Sequence, residues 1–293
     1  MILGSDAKLP AVLREVARLL STAEIENAVG DARLLVAQAT GLTRTDLVAC
    51  PETEIGPDAV ALLAALVQRR MAREPMSHLT GRRGFWTLEF EVGPAVLDPR
   101  PDSETLVEAA LDQFPGKQAA ISVLDLGTGS GCLLLSVLTE RACAWGVGVD
   151  LSPDALAVAA NNAADAGLGE RARFLCGNWG QAVAGPFDLV LCNPPYIQSG
   201  EIEGLAPEVA CFEPHLALDG GVSGYDAYRE VGSEIARLLA PDGAAVVEAG
   251  AGQMPEIARL FSASALKLQD VRKDLGGIER AAIFRLGPPL TIG

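Results

Sequence analysis

Short apolar segments alternate with helical patterns from residue 121 to the end of the 293-residue chain. This alternation predicts a parallel sheet with helices on both faces, because strands that are buried on both sides read as continuous apolar runs. The last two predicted strands follow each other around Gly276 and Gly277, so the sheet should finish with an antiparallel strand. The predicted strands cover residues 122–126, 145–150, 172–176, 187–192, 244–248, 266–272 and 280–286, and the predicted helices cover 132–139, 153–166 and 225–239.

The front of the chain follows a different pattern. Apolar residues recur at helical spacing in three segments of the first 75 residues, which predicts a small helical bundle. Residues 81–101 combine strand-forming side chains with Gly and Pro, and they predict a short β-hairpin. Asp102 can then cap a helix that runs from Ser103 to about Gln113. The expected parts are a helical domain over residues 1–77, a β-hairpin connector over 78–101 and an α/β domain over 102–293.

Charge and composition argue against several classes of protein. The net charge of −15 predicts no direct nucleic-acid partner, because a field of that sign repels phosphate backbones. Only two histidines occur, which argues against a His-rich metal site, and no apolar run approaches the roughly 20 residues of a membrane span. The six cysteines lack C-x-x-C spacing and mostly lie in apolar runs. That usage predicts reduced, buried thiols and a cytoplasmic protein.

Basic residues cluster at the end of the helical region. The acidic excess lies almost wholly after residue 100, so the front of the chain is nearly neutral. Its arginines either form a docking surface for an acidic partner protein or lie on a solvated helix end and connector. The cluster consists of Arg69, Arg70, Arg73, Arg82 and Arg83.

A Gly-rich segment follows the first strand of the α/β domain. It reads Asp125-Leu-Gly-Thr-Gly-Ser-Gly131, and its glycines allow a sharp turn and the close approach of a ligand. The spacing is neither that of a dinucleotide-binding loop nor that of a P-loop. Asp150, at the end of the next strand, can accept hydrogen bonds from both hydroxyls of a ribose. Together these features predict an adenosine-type cofactor with little phosphate, and the alternative is a tight turn beside a surface acid.

The tetrapeptide Asn193-Pro-Pro-Tyr196 follows the fourth predicted strand, at the sheet edge where ligands bind in open α/β folds. Its two prolines remove backbone donors and stiffen the loop, which leaves carbonyl oxygens and the Asn193 amide oxygen as acceptors. Such a cluster fits a substrate –NH2 group, and Tyr196 offers a flat face to a planar substrate. The alternative is that the prolines only stiffen a loop.

These two motifs resemble those of the seven-strand S-adenosylmethionine-dependent methyltransferases, and the tetrapeptide resembles that of the members that methylate exocyclic or amide nitrogens. Such members include DNA adenine and protein-glutamine methyltransferases. The resemblance implies a seven-stranded Rossmann-like sheet with an antiparallel final strand. It also implies S-adenosyl-L-methionine as cofactor, S-adenosyl-L-homocysteine as product and no metal.

Segments along nearly the whole chain resemble the HemK/PrmC family, which methylates the glutamine of the Gly-Gly-Gln motif in peptide chain release factors. The resemblance implies this reaction, a release factor as partner, no membrane, a monomer and a helical front that docks the substrate. Alternatives are a glutamine methyltransferase for a ribosomal protein, a DNA adenine methyltransferase and a non-catalytic scaffold. The matching segments lie at residues 31–35, 75–81, 100–107, 124–131, 193–197, 212–218 and 274–276.

The same resemblance implies roles for individual residues. Trp179 would cover the adenine, and the alternative is an ordinary core tryptophan. Three family positions differ here: Asp98 replaces an apolar residue, Ser103 replaces Thr and Glu279 replaces Asp. The implied cofactor-binding residues are Asp125, Gly127, Thr128, Gly129, Ser130, Gly131, Asp150, Trp179 and Asn193. The implied catalytic residues are Asn193, Pro194 and Tyr196. The implied substrate-binding residues are Asn193, Pro194, Pro195, Tyr196, Leu97 and Arg100.

Overall fold

The structure, a computed structural model, describes residues 8–287 and divides into two compact units. The first contains the chain up to Arg82 together with Ala206–Phe212, and the second contains Arg83–Leu205 and the chain from Glu213 onward. The helices are α1 Leu9–Thr22, α2 Ala28–Thr40, α3 Asp46–Ala49, α4 Pro57–Met71, α5 Met76–Thr80, α6 Glu104–Gln113, α7 Cys132–Glu140, α8 Pro153–Asp165, α9 Pro207–Ala210, α10 Asp226–Leu238 and α11 Met254–Ser262. The strands are β1 Arg82–Phe85, β2 Leu88–Glu91, β3 Ser122–Leu126, β4 Trp145–Asp150, β5 Ala172–Cys176, β6 Phe187–Cys192, β7 Leu239–Glu248, β8 Leu266–Lys273 and β9 Glu279–Leu286.

The first unit has its own apolar core, which confirms the predicted helical region. Leu9, Val12, Val16 and Leu20 are fully buried along one face of α1, where they meet apolar residues of α2 and α4. Gly41 ends α2 with a left-handed backbone (φ 72°), a conformation that costs glycine little. The short helices α3 and α5 were not predicted, because four or five residues are too few to show a helical period.

Three arginines of the predicted basic cluster form ion pairs inside this unit. Arg70 is buried and donates to Asp31 (2.8 Å) and to Glu208 (3.0 Å), which lies in the separate segment Ala206–Phe212. Arg73 donates to the other oxygen of Glu208 at 2.9 Å, and Arg69 pairs with Glu74 at 2.5 Å. This pairing favours a structural role for these three residues over docking.

Replacing Asp31 with alanine should destabilise the protein by about 2 kcal/mol, because the buried Arg70 guanidinium then loses one of its two carboxylate partners. Chemical denaturation followed by circular dichroism measures this loss. Glu15→Ala is the matched control, because it removes an exposed Arg18–Glu15 pair and should cause no measurable change. Equal stability of the two variants would contradict a stabilising role for the buried pair.

The second unit contains a seven-stranded sheet in the order β5-β4-β3-β6-β7-β9-β8. The first five strands in that order run parallel, and β9 is antiparallel to both β7 and β8. The predicted fold class is therefore confirmed. The largest boundary error in the sheet concerns β7, which begins at Leu239 rather than at residue 244. Pro241, Asp242 and Gly243 indicate a turn, but the register irregularity between β6 and β7 accommodates them within the strand.

Alternate residues of the central strands enter two separate cores. Val123 and Leu189 pack into the core on one face of the sheet, whereas Leu124 and Val190 pack into the core on the other. This period of two, with both sets fully buried, explains why the strands read as unbroken apolar runs. The β1–β2 hairpin contributes Phe85 and Phe90 to the first of these cores.

Two further predictions were wrong. Asp102 does not cap α6; a 3-10 turn at Pro101–Ser103 precedes that helix, and the Asp102 carboxylate lies 3.5 Å from Nη2 of Arg280. The cysteines are all free thiols, but only Cys192 is buried and Cys132 is half-buried. Four are exposed because they lie in loops or on the edge strand β5, and the neighbouring sequence does not reveal these positions. They are Cys50, Cys143, Cys176 and Cys211.

Within residues 8–287, no helix has the length and apolar character needed to cross a membrane.

Candidate active site

A cavity of about 620 Å³ lies at the carboxyl ends of the parallel strands, and this volume is ordinary for a small-molecule site. Parallel strands end at one edge of the sheet, so motifs that are far apart in the chain meet there. Ten predicted site residues line the cavity: Leu97, Arg100, Gly127, Thr128, Gly129, Ser130, Asp150, Trp179, Asn193 and Pro195. Four others lie outside its lining: Asp125, Gly131, Pro194 and Tyr196.

The Gly-rich loop forms one wall of the cavity. Gly127 has φ 75°, and the backbone N–H groups of Gly127 and Thr128 both donate to the carbonyl of Val149 at 2.9 Å. A Cβ atom on Gly127 would lie 3.5 Å from the Trp179 ring and 3.9 Å from the carbonyl oxygen of Asn193. Glycine therefore keeps open the space between these two groups.

Asp150 holds its carboxylate at the end of β4 with two backbone hydrogen bonds. Oδ2 accepts from the N–H of Gly129 and Oδ1 accepts from the N–H of Ser152, each at 2.9 Å. A carboxylate has about four acceptor positions, so both oxygens can still accept from a ligand's hydroxyl groups. The geometry suits the predicted binding of a ribose.

Asp125 is a buried carboxyl group directly before the loop. Its Oδ2 accepts from the hydroxyl of Thr128 at 2.7 Å, whereas its buried Oδ1 has no hydrogen-bond partner among the described residues. Burial raises the pKa of Asp125 to about 7, although the Thr128 hydrogen bond opposes the shift. A cation bound nearby would lower this pKa and satisfy the group electrostatically.

Trp179 lies beside the loop, and a residue of α10 holds its side chain in place by a hydrogen bond. Its backbone has φ 47°, and its indole N–H donates to Glu230 at 2.9 Å. Glu230 also lines the cavity, but the sequence gives no sign of this because Glu230 lies 51 residues from Trp179. An acid within an amphipathic helix carries no signal for such a contact.

Two residues of the Asn-Pro-Pro-Tyr segment line the cavity, and the other two lie outside its lining. Asn193 and Pro195 line the cavity, whereas Pro194 is buried. The Tyr196 hydroxyl donates to Oε1 of Glu248 at 3.2 Å. Nδ2 of Asn193 is 3.4 Å from Oγ of Ser103, which also lines the cavity. No sequence motif indicated a role for Ser103 or Glu248 at this site.

Arg100 is held at the cavity wall by a buried acid. Its Nη2 donates to both oxygens of Glu213 at 2.7 Å, and only 2% of the Glu213 side chain is exposed. Burial raises the pKa of Glu213, and the Arg100 charge opposes that shift. Among residues 8–287, no group of three or more His, Cys, Asp or Glu side chains is arranged to hold a metal ion.

Comparisons with known proteins cover both units. A family model described as the PrmC N-terminal domain matches residues 11–81, and one described as a methyltransferase domain matches residues 117–275. The release factor glutamine methyltransferase of Rhodospirillum rubrum is 46% identical over 266 residues, or 91% of this chain and 81% of the relative. The protein of the same name from Bradyrhizobium diazoefficiens is 45% identical over 279 residues, or 94% of each chain.

A solved structure shows the same fold. The methyltransferase from Pyrococcus furiosus gives a TM-score of 0.52 at 16% sequence identity, over 77% of this chain and 98% of that chain. At this identity the likeness concerns the fold alone.

Proposed function

Because this chain belongs to the release factor glutamine methyltransferase family, we propose that it methylates the side-chain amide nitrogen of the glutamine in the Gly-Gly-Gln motif of release factors. The identity of 46% with a relative over 91% of the chain carries the proposal. The cavity supports it, because Asn193, Asp150 and the Gly-rich loop line the same space. The chain acts with S-adenosyl-L-methionine as methyl donor.

The residues present fit that donor. The unpartnered, buried Oδ1 of Asp125 suits a cationic ligand, and the open space at Gly127 suits close contact. Asp150 would accept from the ribose hydroxyls, and Trp179 would lie against the adenine. The bound cofactor supplies a methyl group already activated by a positive sulfur, so this chain's residues contribute binding, orientation and electrostatics.

Asn193 would orient the substrate amide. The lone pair of an amide nitrogen is delocalised into its carbonyl, which makes the nitrogen a poor nucleophile. Acceptors that hold both of its N–H bonds, among them Oδ1 of Asn193, can favour a geometry in which the lone pair faces the methyl group. Positioning of this kind and charge stabilisation account for most of the expected rate enhancement.

A substrate panel tests this function directly. The full-length protein is incubated with methyl-labelled S-adenosylmethionine and, in parallel, a release factor, its Gln→Ala variant, ribosomal proteins and DNA. We expect label on the intact release factor only, located on the motif glutamine by mass spectrometry. Label on a ribosomal protein or DNA instead would favour the corresponding alternative, and no label at all would favour a scaffold.

Cofactor affinity should depend on pH through Asp125. Its pKa of about 7 means that the free protein holds this carboxyl protonated at lower pH, and a neutral group attracts the cationic cofactor less. The Kd should therefore rise by up to about tenfold per unit as the pH falls from about 7 to 5. Titration calorimetry across that range measures the slope. Asp125→Asn should bind the cofactor weakly at every pH, and its Kd should not change with pH over this range. A pH dependence that persists in this variant would belong to another titrating group.

A further inference from the structure

A chain of hydrogen bonds lies behind Asn193. Glu248 ends β7 and is 2% exposed. Its Oε2 accepts from the hydroxyl of Ser103 at 2.5 Å, and its Oε1 accepts from the hydroxyl of Tyr196 at 3.2 Å. Ser103 in turn lies 3.4 Å from Nδ2 of Asn193. The chain thus joins a buried carboxylate to the side chain that would hold the substrate amide.

With Glu248 ionised, the chemistry of these groups fixes the direction of each hydrogen bond. An ionised carboxylate only accepts, so Ser103 and Tyr196 must both donate to Glu248. A serine hydroxyl has one hydrogen, and Ser103 uses it on Glu248. Ser103 therefore presents only lone pairs to Asn193, which must turn its –NH2 end toward Ser103. The Asn193 amide oxygen is then left as the free end of that side chain.

We propose that Glu248, acting through Ser103, sets the orientation of the Asn193 amide, so that Oδ1 rather than Nδ2 is available to the substrate nitrogen. This inference rests on the proposed function, in which the substrate group is a glutamine –NH2. A reversed Asn193 amide would present N–H donors to a substrate that itself donates, and no hydrogen bond could form. Ser103 and Glu248 are thus positioning residues.

The surroundings of Glu248 shift its pKa in opposing directions, with a net rise. Burial raises the pKa of Glu248, while the Ser103 hydrogen bond, the positive charge of Arg280 and the Tyr196 hydrogen bond lower it. Asp102 opposes them with its negative charge. Arg280 lies on β9 and pairs with Asp274, in the β8–β9 turn, at 3.1 Å.

Glu248→Gln is the decisive variant because it keeps the shape and changes the hydrogen pattern. Its –NH2 group can donate to Ser103, whose hydrogen is then released to donate to Oδ1 of Asn193, which reverses the amide. We expect kcat for release factor methylation to fall about 30-fold, with the Kd for S-adenosylmethionine changed less than about twofold. Ser103→Ala should lower kcat about tenfold, and Ser103→Thr, which keeps the hydroxyl, should retain activity.

A double-mutant cycle separates this relay from a structural role. Once Ser103 is alanine, no hydrogen bond links Glu248 to Asn193, so adding Glu248→Gln should lower kcat less than about threefold further. The matched control is the Ser122–Asp188 pair, which makes a similar hydrogen bond (2.8 Å) between β3 and β6. Asp188→Asn should leave kcat unchanged, because the pair lies at the amino ends of those strands.

The possible results separate failure of the proposed function from failure of the Glu248–Ser103–Asn193 relay. A wild-type protein that fails to label the release factor overturns the proposed function. A wild-type protein that labels it, with Glu248→Gln or Ser103→Ala retaining more than half of kcat, overturns the relay. Fully additive losses, or a Ser103→Thr variant as slow as Ser103→Ala, also overturn it. The serine variants decide the matter alone if Glu248→Gln does not fold.

Discussion

Replacing Asn193 with alanine is expected to lower kcat for release factor methylation by a factor of about 100 or more, because a positioning acceptor for the substrate nitrogen is lost. Most of the affinity for S-adenosylmethionine should remain, since Asp150 and the Gly-rich loop are intact. Steady-state kinetics with a purified release factor measure kcat, and calorimetry measures the Kd for the cofactor.

Asn161→Ala provides the control for that substitution. Asn161 lies on the exposed side of α8, and its side chain makes a long hydrogen bond of 3.4 Å to Glu91. This variant should retain wild-type kcat and cofactor affinity. Near-normal turnover of Asn193→Ala would refute the role of Asn193 in holding the substrate. A matching loss of cofactor affinity would instead place the defect in cofactor binding.

Replacing Gly127 with valine should weaken S-adenosylmethionine binding by about 100-fold, which corresponds to about 2.7 kcal/mol. The new side chain would extend into the space between the Trp179 ring and the Asn193 carbonyl oxygen, 3.5 Å and 3.9 Å from its Cβ. A β-branched residue is also strained at φ 75°. Calorimetric titration with the cofactor gives the change in Kd.

Gly277→Val separates filling of the cavity from backbone strain. Gly277 has φ 82° in the β8–β9 turn, and apart from its chain neighbours no atom of residues 8–287 lies within 4 Å of the position of an added Cβ. Both glycine variants should lose thermal stability, but Gly277→Val should bind the cofactor normally. If both bind it equally well, the open space at Gly127 is not part of the cofactor site.

Much of the fold could be predicted because it depends on local patterns. β6 was predicted at its observed bounds because a strand buried on both faces is an uninterrupted apolar run. β7 was placed five residues late because Pro241 and Gly243 signal a turn, and only pairing with β6 overrides that signal. The domain boundaries and the residue roles stay predictions.

The site residues also differ in whether a local sequence pattern could predict them. Gly127, Asp150 and Asn193 follow buried strands directly, so topology alone brings them together. Ser103 and Glu248 act through partners 90 and 145 residues away in the chain, which a single sequence does not reveal. The one available signal was that Ser103 and the Thr common in the family share a hydroxyl group.

The pairing of Glu208 with Arg70 and Arg73 affects how hybrid proteins could be engineered from this chain. The helical unit is not a contiguous module, because Ala206–Phe212 belongs to it although it is encoded more than 120 residues later than Arg82. A chimaera that carried only the front of this chain would contain Arg70 and Arg73 without Glu208, the carboxylate that they share. A transplant that preserves this unit therefore has to carry both segments, or at least an acid at position 208.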